Sequence, residues 1–214
     1  MSGKYSKIEW QETMNSVTID CSLDIAIHPA DSKVVLLTVP GVDGSVDGFG
    51  DKYVKIAENI QEKYGAATVR MANPFITSYH WESNIRRSLN YILENTEEIT
   101  GYKDIEIRIM AHSAGAAVVA QIAWEYPEIT RILLINPATK LGIGKIKYGL
   151  SEFSGNKITV LFGSEDPSVS DVDEIAKLSE AKNVHTHILE GVDHNFSGGS
   201  LEAFITAPAL YLFD

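Results

Sequence analysis

The chain has 214 residues, enough for one domain with a full core, and its 44% hydrophobic and 22% charged content is ordinary for a globular protein. A formal net charge of -11, from 18 Lys and Arg against 29 Asp and Glu, argues against a nucleic-acid or anionic-membrane partner, which requires clustered basic residues. The single cysteine, Cys21, excludes an intramolecular disulfide and a cysteine-based metal site.

In chain order, Met1 to Tyr5 leads into polar residues without an apolar core segment, and no apolar run approaches the roughly 20 residues that span a bilayer. Both features predict a cytoplasmic protein with no membrane partner. Val17 to Ile27 partly alternates, as a half-buried antiparallel edge strand does. A turn at Pro29-Ala30-Asp31 precedes Val34 to Val39, a continuous apolar run typical of a strand buried on both faces. The period then switches repeatedly. A helix is predicted over Asp51 to Tyr64, a strand over Ala66 to Met71, and a helix from Trp81 to about Thr100 with Ile85, Leu89 and Ile92 on one face. Strands follow at Ile105 to Met110, Arg131 to Ile135, Lys157 to Phe162 and Val184 to Leu189. Helices are expected at Ala114 to Trp124, at Val172 to Ala181 and from near Gly199. Such alternation predicts a single α/β domain over residues 1–214: a doubly wound, mainly parallel sheet with an antiparallel N-terminal edge and helices on both faces.

In that architecture chemistry sits at the carboxyl ends of strands. Ala111-His112-Ser113-Ala114-Gly115 lies at such an end, between an apolar strand and a small-residue helix. Small neighbours allow a turn sharp enough to lift one side chain out of the sheet, which makes Ser113 a candidate nucleophile. A serine hydroxyl needs a base near neutral pH, and the base needs an orienting carboxylate. Asp166, in Gly163-Ser164-Glu165-Asp166-Pro167, is the candidate acid, with Glu165 as its nearest substitute. His194, in Gly191-Val192-Asp193-His194-Asn195-Phe196, is the candidate base, and Asp193 is read as holding its loop. The oxyanion donors are expected to be the backbone N–H groups of Ala114 and Val42, the latter after Gly41 in the turn that closes the Val34 to Val39 strand. The same glycines lack the Gly-Lys-Ser/Thr of a phosphate loop.

Of the remaining histidines, His112 is expected to pack under the turn. His185 and His187 share a strand face without a visible third metal ligand, so no metal is expected. His28 and His80 are read as loop residues, and His80 with Tyr79 and Trp81 is a candidate substrate-pocket lining beside Gly41.

On these motifs, and on the chain order Ser, Asp, His, nearly the full length resembles the α/β-hydrolase superfamily. Ala111 stands where that family more often has glycine, and Pro40 where many members have histidine. The resemblance implies a three-layer α/β-hydrolase fold and a serine hydrolase of esterase or thioesterase type. Such an enzyme acts on a small acyl substrate through an acyl-enzyme and without a cofactor. A peptidase or amidase, an acyltransferase, and a catalytically silent binding protein are the rival readings on the same fold. Only about twenty residues separate the strands ending near Ile135 and starting near Ile158, with glycines at 142, 144, 149 and 155. That stretch is too short and glycine-rich for a helical cap domain, so an open, lidless site is expected.

Overall fold

The computed structural model describes residues 3–74, 78–180 and 183–214. One sheet of eight strands organises the chain: β1 (Lys4–Met14), β2 (Val17–His28), β3 (Val34–Val39), β4 (Ala67–Met71), β5 (Glu106–His112), β6 (Ile129–Ile135), β7 (Lys157–Gly163) and β8 (Val184–Leu189). Their spatial order is β1-β2-β4-β3-β5-β6-β7-β8. The pairs β1·β2 and β2·β4 are antiparallel, and every later pair is parallel.

Side chains of successive strand residues go to opposite faces, and the two cores divide accordingly. Val35, Leu37, Ile107, Ile109, Ile132, Leu134, Ile158 and Val160 face one core. Leu36, Met110, Leu133, Ile135 and Leu161 face the other. The first face is covered by α2 (Ser78–Glu94), α3 (Thr96–Thr100), α4 (Ser113–Ile122), α5 (Ile143–Glu152) and α6 (Val172–Ala176). The second is covered by α1 (Lys52–Tyr64) and α7 (Leu201–Pro208). Burial on both faces explains why β3 and β5 to β7 read as near-continuous apolar runs. Among the described residues no cap domain covers the carboxyl edge, and no helix is long and apolar enough to cross a membrane.

Several elements differ from expectation. The edge strand is β1, and β2 lies between β1 and β4. β1 pairs with β2 along its whole length, from Lys4 opposite Ile27 to Met14 opposite Val17. Asn15 and Ser16, both at positive φ (49° and 67°), make the tight turn whose twist suits a hairpin. The long helix expected to Thr100 breaks at Asn95, whose side chain turns back to donate to the Tyr91 carbonyl. Helix α6 ends at Ala176 and continues as a tighter 3-10 turn over Lys177–Glu180, and Ala181 lies outside the described residues. The glycine-rich stretch read as a loop is largely helix α5, which packs on α4. Its Gly149 is needed there, because a Cβ would lie 2.2 Å from the Ala120 carbonyl oxygen.

Candidate active site

Strand β5 runs into α4 through Ser113, whose backbone is left-handed at φ 56°. That conformation is costly for a residue with a Cβ and persists only where its surroundings hold it. Here they do. Gly115 permits the Pro40–Gly41 turn to press against the first turn of α4, since a Cβ on Gly115 would lie 2.3 Å from the Pro40 carbonyl oxygen. Gly41 is equally close to the serine: a Cβ there would be 2.9 Å from Ser113 Cβ. Val42, 45% exposed, lines the cleft beside Ser113, and Ala114 is the buried residue that follows Ser113. The N–H of Ala114 is in the first turn of α4, where N–H groups have no partner within the helix. The turn is fixed from outside. Asn73 Nδ2 donates to the Pro40 carbonyl at 3.1 Å, and Asn84 Nδ2 donates to Asn73 Oδ1 at 3.2 Å. Both asparagines are fully buried.

The acid and base loops follow β7 and β8. Asp166 is buried, while Glu165 beside it is exposed. One Asp166 oxygen accepts the N–H of Ser168 at 2.7 Å and also the Ser168 hydroxyl. The other accepts from His194 Nδ1. With Nδ1 facing a carboxylate, the ring proton resides there, and Nε2 is left to accept from the Ser113 hydroxyl at 2.9 Å. Ser113, His194 and Asp166 are therefore joined in one chain of hydrogen bonds, although 81 positions separate the first pair and 28 the second.

Three features fix the His194 loop. Asp193 Oδ1 accepts the N–H groups of Asn195 and Ser197, at 3.1 and 2.9 Å. Phe196 is buried edge-on against Phe204 of α7, with ring centroids 5.2 Å apart. Gly163 lets the acid loop touch the base loop, since a Cβ there would stand 2.2 Å from the Val192 carbonyl oxygen.

Two further residues support this loop, the first without any role in the sequence reading. Asn136, fully buried at φ 43°, donates from Nδ2 to the carbonyls of Asp193 and His194, each at 3.2 Å, and accepts the Gly163 N–H at 2.7 Å. It lies at the carboxyl end of β6, and a polar residue directly before Pro137 was the available signal. His112 does pack beneath the turn, and its Nε2 also donates to the His194 carbonyl at 2.9 Å. Burial, reinforced by the charge of Lys52, holds His112 far below the usual histidine range, at about 3, so it is a neutral donor.

The cleft has two arms that meet at His194, and the second is also lined by Ser113. One, of about 260 Å³, lies between Pro137–Lys140 and Asp166–Ser168. The other, of about 450 Å³, lies between Pro40–Ser45 and the start of α1. Gly41 lines the second arm, as expected of a substrate contact. His80 and Trp81 line neither. His80 is in α2, buried, with Nε2 2.9 Å from Glu12 Oε2 of β1, and Trp81 belongs to the core. Both are corrections to the sequence reading, and the Tyr79 side chain lies outside the described residues. His28 is likewise no loop residue, but the buried end of β2. His185 bonds Asn183 and His187 packs on Tyr211. Among the described residues no group of three or more His, Cys, Asp or Glu could hold a metal ion.

Est1E from Butyrivibrio proteoclasticus superposes with a TM-score of 0.70 at 15% identity, covering 96% of this chain and 97% of that one. A dienelactone hydrolase from Anabaena variabilis superposes at 0.71 and 14% identity, covering 98% and 97%. This is the α/β-hydrolase fold. The esterase domain of a Rhodothermus marinus protein shares it at a TM-score of 0.61 and 14% identity, covering 98% and 97%. No protein-family model and no curated protein sequence matches the chain. In this α/β-hydrolase fold Ser113 stands at the sharp turn after the central strand, and the Asp166 and His194 loops follow the last two strands.

Proposed function

We propose that the protein is a serine hydrolase that cleaves an ester or thioester of a small acyl compound through an acyl-enzyme. The observation that carries this is the hydrogen-bonded run from Ser113 Oγ through His194 to the buried Asp166, opening onto a cleft with no cap among the described residues. As Ser113 Oγ attacks the carbonyl carbon, His194 Nε2 takes the hydroxyl proton, and Asp166 stabilises the imidazolium. The oxyanion formed is held by the N–H groups of Ala114 and Val42. The intermediate collapses, and His194 returns the proton to the departing alkoxide or thiolate. Water then attacks the acyl-Ser113 ester with His194 again as base, releasing the acid and restoring the hydroxyl.

The similar folds named for esterase and dienelactone hydrolase activity support this reading. The arm volumes of about 260 and 450 Å³ suit a small acyl group and a small leaving group. Cys21, buried and free, suits the reducing cytoplasm. A fluorophosphonate probe should label the wild type and spare Ser113→Ala, and p-nitrophenyl acetate should be turned over by the wild type alone. Labelling that survives in Ser113→Ala, or a wild type inert to both reagents, overturns the proposal.

A further inference from the structure

The larger arm of the cleft contains a feature that ester hydrolysis alone does not require. Lys52 is the one cation among the residues lining it, in a protein of net charge -11. This lysine makes no salt bridge with a carboxylate among the described residues, as is true of several other lysines. A surface lysine lays its stem on apolar atoms and carries its ammonium out to water. Lys52 keeps its ammonium down, with Nζ 4.1 Å from the Phe204 ring centroid and 5.3 Å from that of Tyr53.

Its position also breaks a local rule. Lys52 is the first residue of the 13-residue helix α1, the positive end of the helix dipole, where a cation is unfavourable. The preceding residue, Asp51, makes no side-chain cap there. The ammonium and the helix terminus therefore stand together at this end of the arm, with Asp43 the one carboxylate of its lining. Tyr53, the next residue of α1, also lines the arm, and its hydroxyl is fully buried without a hydrogen-bond partner.

We infer that this arm is an anion subsite, and that the substrate is an ester carrying a carboxylate, engaged by Lys52 with Tyr53 beside it. Asp43 lines the same arm and opposes any anion there, a singly charged carboxylate less than a doubly charged phosphate. The subsite is continuous with a further hollow of about 410 Å³ that shares Phe49, Lys52 and Asn195, so a substrate longer than its carboxylate arm has room to extend.

The inference rests on the hydrolase reading, and its test separates the two. Hydrolysis of the p-nitrophenyl monoester of glutaric acid is compared with that of p-nitrophenyl pentanoate, placing the charge in the acyl half. Hydrolysis of 4-acetoxybenzoate is compared with that of its methyl ester, placing it in the leaving half. In at least one pair the wild type should favour the charged ester in kcat/KM. Lys52→Met should reduce that ratio by about tenfold to a hundredfold, the worth of a charge-assisted hydrogen bond, and Lys52→Arg should retain it. A wild type that favours the neutral ester in both pairs, or a ratio unchanged in Lys52→Met, overturns the inference while leaving the hydrolase reading standing. A wild type inert to all four esters and to the fluorophosphonate overturns both.

Discussion

His112 Nε2 donates to the carbonyl oxygen of His194 across 2.9 Å, joining the residue before the nucleophile to the residue proposed as its base. The bond needs a neutral His112, since charging so buried a ring would be costly, and burial holds it at about 3 against an ordinary 6.5. The linkage has a definite sign. Below 6.5 the unfolded chain binds a proton at this residue that the folded chain refuses, so stability is complete above 6.5 and falls as the pH drops towards 3. The slope from this group is at most about 1.4 kcal/mol per pH unit. Urea unfolding of the wild type and His112→Gln between pH 6.5 and 5 should show a shallower decline in the variant; parallel declines contradict the account.

Asn136 gives a different kind of prediction. Its amide ties the end of β6 to the acid loop through Gly163 and to the base loop through Asp193 and His194. Asn136→Ala leaves the Gly163 N–H without its acceptor and deletes two donors, at about 1–3 kcal/mol for each buried group left unsatisfied. The loss of stability should be about 2–4 kcal/mol by denaturant unfolding. If the loops then hold His194 less accurately, kcat should fall about a hundredfold with KM little changed, because only positioning is lost. A variant with normal kcat would show that Asn136 serves folding alone.

The choice of acid separates two adjacent carboxylates. Asp166 is buried and receives His194 Nδ1 and Ser168, whereas Glu165 is exposed. Asp166→Asn should cut kcat by about 10⁴-fold, because the amide favours the wrong imidazole tautomer. Glu165→Gln should stay within about twofold, as a surface change away from the chemistry. Steady-state kinetics on p-nitrophenyl acetate reads both, and the reverse ranking would move the acid to Glu165.

Much of this fold and site was legible because the physics behind it is local. Strands β3 and β5 to β7 are buried on both faces, so apolar runs announce them, and Ser113, Asp166 and His194 each follow a strand in short turns rich in small or polar residues. What was missed is non-local. In β1 the half-buried residues Ser6, Ile8, Trp10 and Glu12 alternate with exposed ones, but Ser6 and Glu12 are polar, so the pattern is weak without its partner β2. His80 beside Tyr79 and Trp81 resembles a pocket lining until Glu12, 68 positions away, is seen to claim it. The glycines from 142 to 155 suggest a loop, and only the α4 surface explains why Gly149 belongs in a helix.

That close-approach logic gives the final prediction, at Gly115 and Gly41. A Cβ on Gly115 would meet the Pro40 carbonyl oxygen at 2.3 Å and Val39 Cγ1 at 2.8 Å, both under van der Waals contact and the first of them backbone. The Pro40–Gly41 turn is held on its other side by Asn73, so Gly115→Ala must either tilt α4 or push the turn outward. Overpacking of this kind costs about 1–3 kcal/mol. Outward motion also carries the Val42 N–H, proposed as an oxyanion donor, away from Ser113, and loss of one such donor costs about 10²–10³-fold in kcat. Gly41→Ala acts from the opposite side, with its Cβ 2.9 Å from Ser113 Cβ and 3.4 Å from Ser113 Oγ. It should therefore slow fluorophosphonate labelling of Ser113 more than it lowers stability. If both variants instead lose stability while labelling at the wild-type rate, the Pro40–Val42 turn is scaffolding and the second oxyanion donor must be sought elsewhere.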